Sequence, residues 1–334
     1  EHFNDNPIKQ VASDPVSTFS LDVDTGSYAL VRQFIQQGRL PASDAVRVEE
    51  LINYFSYQYP KATGQHPFAS ETELSTAPWQ PEHYLLRIGV QAQDVHVSAM
   101  PPANLVFLVD VSGSMDEPNK LPLVISSLQM LTQQLRPQDK VSLVVYAGRT
   151  EVVLEPTAGN KKADIQAALG RLQAGGSTAG TSALALAYKM ARKGYVANGI
   201  NRILLATDGD FNVGVTDTNQ IKDMVKRERE SGINLSTLGF GQGNFNDAMM
   251  EQIADVGNGN YSYIDSLNEA RKVLVDELSS TFNTVAKDVK VQIEFNPNVV
   301  AEYRLIGYEN RQLNREDFNN DKVDAGDVGS GKSV

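Results

Sequence analysis

Between Ala103 and about Val285 the chain alternates short apolar runs with amphipathic stretches at helical spacing, and this alternation restricts the fold more than any other feature. Strands buried on both faces are written as continuous apolar text. Such text occurs at Leu105–Val109, Val141–Tyr146, Glu151–Leu154, Arg202–Ala206, Asn234–Phe240 and Asn260–Ile264. Helical patterns fall between them, near 163–172, 182–193, 219–231, 246–256 and 267–282. The clearest places Leu121, Val124, Ile125, Leu128, Leu131 and Leu135 three and four apart, with Pro122 near its start and Arg136-Pro137 ending it. The expectation is an α/β domain with a mainly parallel six-stranded sheet flanked by helices.

The text on either side differs. Phe19, Leu21 and Val23 alternate as a strand, and two short helical patterns follow. One places Tyr28, Val31, Phe34 and Ile35 on one helical face, the other Val48, Leu51, Ile52 and Phe55. A polar passage from Lys61 to Pro81 leads to a strand at Tyr84–Val90. After Ala286 alternation returns at Val289, Val291, Ile293 and Phe295, then at Val299–Ile306. The expected organisation is an N-terminal segment over 1–101, the α/β domain over 102–285, and a C-terminal β-rich segment over 286–334 that pairs with the first. The α/β domain is then an insertion in a sandwich-like β-rich module with a helical N-terminal portion, which works because domain termini lie close together.

Composition narrows the function. With 30 Lys plus Arg against 41 Asp plus Glu, the net charge of -11 repels a polyphosphate backbone, so nucleic acid is not an expected partner. The absence of cysteine excludes disulfides, thiolate catalysis and thiolate metal sites. No run approaches the ~20 apolar residues that span a bilayer. The polar start at Glu1–Asn6 leaves two expectations open: a cytosolic chain, or one from which a targeting segment has been removed.

Oxygen donors cluster where the sheet would expose its binding edge. The run Leu105–Val109 ends in Asp110-Val111-Ser112-Gly113-Ser114, and Ile203–Ala206 ends in Thr207-Asp208-Gly209. Between them Gly175-Gly176-Ser177-Thr178 precedes a helix. This pattern resembles the metal-ion-dependent adhesion site of von Willebrand factor A domains. The resemblance implies Ser112 and Ser114 as direct hydroxyl ligands, with Asp110, Thr178 and Asp208 binding directly or through water; Ser177 leaves the loop alignment open by one residue. An all-oxygen shell suits a hard cation, Mg²⁺ first, with Ca²⁺ or Mn²⁺ in its place as alternatives. In that family a partner's Asp or Glu completes the shell, so the implied partner is a protein carboxylate and the implied function is non-enzymatic binding or adhesion. The alternatives are an Mg²⁺-dependent phosphoryl hydrolase on the same oxygens, or a scaffold that leaves them unused.

Further stretches, Ser17–Tyr28, Arg47–Phe55 and Asp317–Asp327, are similar to the YfbK-type von Willebrand factor A lipoproteins of Gram-negative bacteria. That similarity implies a periplasmic or cell-envelope setting and a lipid anchor on a preceding N-terminal segment. It also implies a further C-terminal region.

Other motifs read as structure. Gly326–Ser333 spells a phosphate loop, but polar text from Asn319 to Asp324 precedes it where such a loop needs an apolar strand, and it reads as a surface turn. Asp24-Thr25-Gly26 lacks the second copy an aspartic protease needs and reads as helix capping before Tyr28. Asp317, Asn319 and Asp321 begin a calcium-loop spacing that fails at Lys322 and Val328. His2, His66, His83 and His96 show no metal spacing.

Overall fold

The structure is a computed structural model that describes residues 5–64, 66–176, 181–209, 218–241 and 247–334. In chain order the strands are β1 (Lys9–Gln10), β2 (Val16–Ser20), β3 (Phe68–Ala77), β4 (Gln80–Ala92), β5 (Ala103–Asp110), β6 (Lys140–Tyr146), β7 (Thr150–Ala158), β8 (Ile200–Thr207), β9 (Asn234–Gly239), β10 (Tyr261–Tyr263), β11 (Thr284–Glu294), β12 (Glu302–Tyr303) and β13 (Gly326–Gly329). The α-helices are α1 (Gly26–Gln36), α2 (Val48–Asn53), α3 (Leu121–Gln134), α4 (Lys162–Leu169), α5 (Thr181–Gly194), α6 (Thr218–Glu230), α7 (Asp247–Val256), α8 (Leu267–Arg271) and α9 (Leu278–Phe282).

Two compact units result. The first joins Asp24–Val46 to Met100–Phe282 and contains a mixed six-stranded sheet in the order β10-β9-β8-β5-β6-β7. All neighbours are parallel except the β6–β7 pair. Every residue of β5 is buried, as an apolar strand covered on both faces requires. Helix α3 is set by its own sequence: Pro122 pre-sets the first turn, and Leu121, Val124, Leu128 and Leu131 form the buried stripe. Successive connections leave β5 toward β6 and β8 toward β9, in opposite directions. The gap between the carboxyl ends of β5 and β8 is therefore the topological switch point, where open α/β sheets bind ligands.

Helix α1 belongs to this unit, although the sequence places it in the N-terminal segment. Its buried face also differs from the expected one: Ala29, Leu30 and Gln33 are buried, while Ile35 is 62% exposed. Polar anchors set the rotation. Arg32 pairs with Asp265 at 2.7 Å and Glu269 at 2.9 Å, and Ala29 and Leu30 join the core that contains Tyr261 and Tyr263. At Gly26 an added Cβ would lie 2.1 Å from the Tyr261 ring, so only glycine permits this approach. At the start of the helix the Asp24 Oδ1 accepts the Tyr261 backbone N–H at 3.0 Å, and the N-cap Thr25 makes no side-chain cap bond.

The second unit comprises 5–23, Arg47–Ala99 and Asn283–Val334. The N- and C-terminal flanks pair in it: β11 lies between β13 and β2, antiparallel to both, and β1 pairs with β12. Leu21, Val23, Ala92 and Val328 form its small core, with Val285, Val289 and Val291 packed against them. Strand β3, read from sequence as a polar connection, forms a long hairpin with β4. The expected strand over Val299–Ile306 is reduced to β12.

In α2 the expected apolar face is only partly buried: Val48 and Leu51 are half-buried. Glu49, Glu50 and Asn53 are buried, whereas Ile52 and Phe55 are about half exposed (46% and 48%). The expected helix over 267–282 is also interrupted, by a π-helical turn at Lys272–Asp276 between α8 and α9. Gly326–Gly329 forms β13, paired with β11, and Gly331 in the turn after it has φ +71°. Asp317 is used locally, accepting the Asn314 backbone N–H at 3.0 Å in a capping box. Among the described residues, no helix is long and apolar enough to cross a membrane.

Candidate metal centre

The end of β5 delivers Asp110 into a fully buried position. Its Oδ1 accepts the Ser112 backbone N–H at 2.8 Å, and its Oδ2 accepts the Thr207 hydroxyl at 3.1 Å. Both oxygens are thus oriented by the protein, and each retains lone-pair capacity. Burial pushes the Asp110 carboxyl up to about 6, and the nearby Asp208 charge adds to the rise; hydrogen bonds from Ser112 and Thr207 oppose it. An isolated carboxylate at this depth is costly, which makes it a natural counter-charge for a cation.

After Asp110 the chain turns through a short 3₁₀ segment, Gly113–Met115, anchored by fully buried Met115. This turn sets the Ser112 and Ser114 hydroxyls side by side, with their Oγ atoms 3.0 Å apart. Two adjacent ligands in an Mg²⁺ octahedron at about 2.0–2.1 Å from the ion are separated by about 2.8–3.0 Å. The hydroxyl pair therefore fits one edge of such a shell.

Two other stretches of chain converge here. The glycine loop is tied to the serine turn by Gly113 N–H donating to the Gly176 carbonyl at 3.0 Å, and by Gly175 N–H donating to the Val111 carbonyl at 2.8 Å. Gly176 adopts φ +85°, a left-handed conformation suited to glycine. Ser177 and Thr178, which follow directly, lie outside the described residues. From β8, Thr207 Oγ1 donates to Asp110 and accepts the Gly209 N–H at 3.2 Å. Gly209 has φ +86°, a left-handed conformation suited to glycine. Asp208 is buried, and its Oδ2 lies 3.1 Å from Lys120 Nζ.

Of the five residues assigned from sequence, four are thus gathered at the switch point and the fifth is outside the described region. Sequence reading passed over two contributors. Thr207 looked like part of a motif but serves as the strut that orients Asp110. Lys120, at the N-cap of α3, places its ammonium between the Ser114 carbonyl (2.9 Å) and Asp208. A lysine six residues beyond a serine has no pattern that would have flagged it.

The residues fit a hard divalent ion by donor type and by spacing. Such an ion would be held by Ser112 and Ser114 directly, with Asp110 and Asp208 supplying charge; when bound, it would supply an electrophilic centre for an anionic oxygen.

A family model described as von Willebrand factor type A domain matches residues 104–277; one described as von Willebrand factor matches 1–87, and one described as uncharacterized protein YfbK, C-terminal, matches 280–334. The protein YfbK of Escherichia coli (strain K12) is 55% identical over 341 residues, covering all of this chain and 59% of the relative. Protein sll0103 of Synechocystis is 32% identical over 185 residues, covering 55% of this chain and 43% of the relative. The chain therefore spans about half the length of these relatives. A solved von Willebrand factor type A structure from Catenulispora acidiphila superposes with a TM-score of 0.50 at 19% identity, covering 70% of this chain and 54% of that one.

Proposed function

The chain belongs to the von Willebrand factor type A domain family, and from that premise we propose that it binds a protein partner through a divalent cation. Domains of this family often mediate adhesion or protein binding through a metal-ion-dependent adhesion site. The proposed ligands are Asp110, Ser112, Ser114, Thr178 and Asp208. The proposed ion is Mg²⁺, with Ca²⁺ or Mn²⁺ able to replace it, and the proposed partner group is an Asp or Glu carboxylate.

One observation carries this reading: the Ser112 and Ser114 hydroxyls stand 3.0 Å apart beside the buried Asp110 carboxylate. Neutral hydroxyls leave the ion more electrophilic than a shell of carboxylates would, so an incoming carboxylate is bound rather than repelled. A non-enzymatic role is supported by how the carboxylates are used. In this role Asp110, oriented by Ser112 and Thr207, and Asp208, paired with Lys120, serve the ion rather than a substrate proton.

We place this binding at the cell envelope, on a lipid-anchored protein, because Ser17–Tyr28 and Asp317–Asp327 are similar to the YfbK-type lipoproteins. The test is affinity capture from an envelope extract with wild type and Asp110→Ala, in Mg²⁺ and in chelator. Proteins retained only by wild type with Mg²⁺ are expected. Identical retention in all four conditions would reject the proposal.

A further inference from the structure

Lys120 breaks two local rules at once. It occupies the N-cap of α3, a position that favours Ser, Thr, Asp or Asn, and it makes no side-chain cap bond there. It also brings a positive charge to the positive end of the helix dipole. A lysine with a four-carbon stem can usually carry its ammonium out to water. This one turns inward and is only 6% exposed.

The surroundings are shaped to keep it there. Nζ donates to the Ser114 carbonyl at 2.9 Å and to Asp208 Oδ2 at 3.1 Å, with Glu117 Oε1 further out at 3.4 Å. The stem runs along Gly241, where an added Cβ would stand 2.6 Å from Lys120 Cε and 2.7 Å from Cγ. Gly241 has φ +80°, so its conformation and the space beside it both require glycine. That glycine is itself held, since its carbonyl hydrogen-bonds the buried Tyr263 hydroxyl, which also contacts the Gln33 side chain on α1. Burying an ammonium costs several kcal/mol unless it is well paired. Here the pairing is complete, and one of its partners belongs to the candidate metal centre.

We infer that Lys120 is a built-in counter-cation of the metal centre, which weakens its hold on a divalent ion and leaves one positive charge for an incoming anionic oxygen. The inference rests on the proposed metal site and extends it to regulation of that site. Asp110 and Asp208 together balance a dication. Lys120 takes up one of those negative charges, so the loaded centre stays cationic and favours a partner's carboxylate. Lys120 is a positioning residue, acting through Asp208.

The test is Mn²⁺ titration followed by electron paramagnetic resonance of the free ion, on wild type, Lys120→Met, Lys120→Arg and Asp110→Ala. Lys120→Met keeps the stem and removes the charge; it is expected to bind Mn²⁺ about five- to tenfold more tightly, with Lys120→Arg close to wild type. A strut without an electrostatic role would give the opposite sign, because freeing Asp208 would weaken binding. Unchanged or weaker binding by Lys120→Met overturns the inference. Should that variant fail to fold by thermal melting, Lys120→Gln is expected to show the same tightening. Failure of both to fold while Lys120→Arg folds would make the charge purely structural and overturn the inference too. Acetate, as a carboxylate probe, is expected to slow Mn²⁺ release from wild type more than from Lys120→Met, and an equal effect contradicts the inference. Wild type that takes up no Mn²⁺ rejects the metal reading itself, whereas wild type that binds alongside an unchanged Lys120→Met rejects only the role of Lys120.

Discussion

Both units bury carboxylates, but in different company. In the α/β unit Asp110 and Asp208 sit at strand ends among hydroxyls, with Lys120 as the cation beside them. In the β-rich unit Asp22, Glu49 and Glu50 lie beside arginines and backbone amides: Arg311 is 3.7 Å from Asp22, Arg47 bonds Glu50, and Glu49 Oε2 accepts the Tyr308 N–H at 3.0 Å. Hydroxyls keep lone pairs that an outside ion can use. In the β-rich cluster arginines and a backbone amide of the same unit engage the carboxylates instead. In these two clusters, then, buried charge keeps company with open hydroxyl donors at the candidate metal centre and with arginines and backbone amides in the β-rich unit.

The comparison breaks most visibly if the two units respond alike to substitution. Leu128→Ala, in the fully buried stripe of α3, is expected to destabilise the α/β unit by about 2–5 kcal/mol through lost burial and a residual cavity. Amide hydrogen exchange resolved along the chain is the measurement. Equal deprotection of β2 and β11 would show that the units share one cooperative transition.

A smaller effect is expected at Glu49. Burial first, then the Asp22 charge, raises its carboxyl to about 7. A raised carboxyl binds its proton more tightly in the folded state than in the unfolded one. Its contribution is therefore complete at acid pH and is lost as pH climbs from about 4.5 through about 7. Glu49→Gln keeps an acceptor for the Tyr308 amide and removes the charge. It is expected to stabilise the β-rich unit by on the order of 1–3 kcal/mol above pH 7, and by little near pH 4.5. Melting curves at both pH values check this, and a gain of equal size at each would remove the electrostatic explanation.

Smaller again is Ser114→Ala, which deletes one hydroxyl of the pair. Mg²⁺ affinity is expected to fall roughly tenfold, about 1.4 kcal/mol, with stability changed by less than about 0.5 kcal/mol because Ser114 lies on the exposed side of the turn. Calorimetric titration and thermal melting, run on the same samples, separate the two quantities. The smallest change is expected from Trp79→Ser at the tip of the β3–β4 hairpin, where the ring is 63% exposed: within about 0.5 kcal/mol in melting experiments.

The same contrast explains what could be read from sequence. Strand β5 and helix α3 are legible because burial on both faces, or on one helical stripe, writes itself directly into apolar spacing. The residues of the candidate metal centre are legible because oxygen chemistry restricts their types and the switch point restricts their place. Strand β3 is not, since Ser70-Glu71-Thr72-Glu73 pairs through its backbone and leaves its side chains mostly in water. Helices α1 and α2 mislead for the opposite reason. Arg32, Glu49 and Asn53 hold them by polar contacts to distant residues, and those partners override the local apolar pattern. Lys120 escapes notice because its role depends on Gly241, more than a hundred residues later in the chain.

The most direct measurement is Mg²⁺ titration by isothermal calorimetry on wild type and Asp110→Ala. Saturable heat at one ion per chain for wild type, absent from a folded Asp110→Ala, is the expected result. Equal heats from the two proteins would contradict the assignment of Asp110, Ser112, Ser114 and Asp208 to a cation centre.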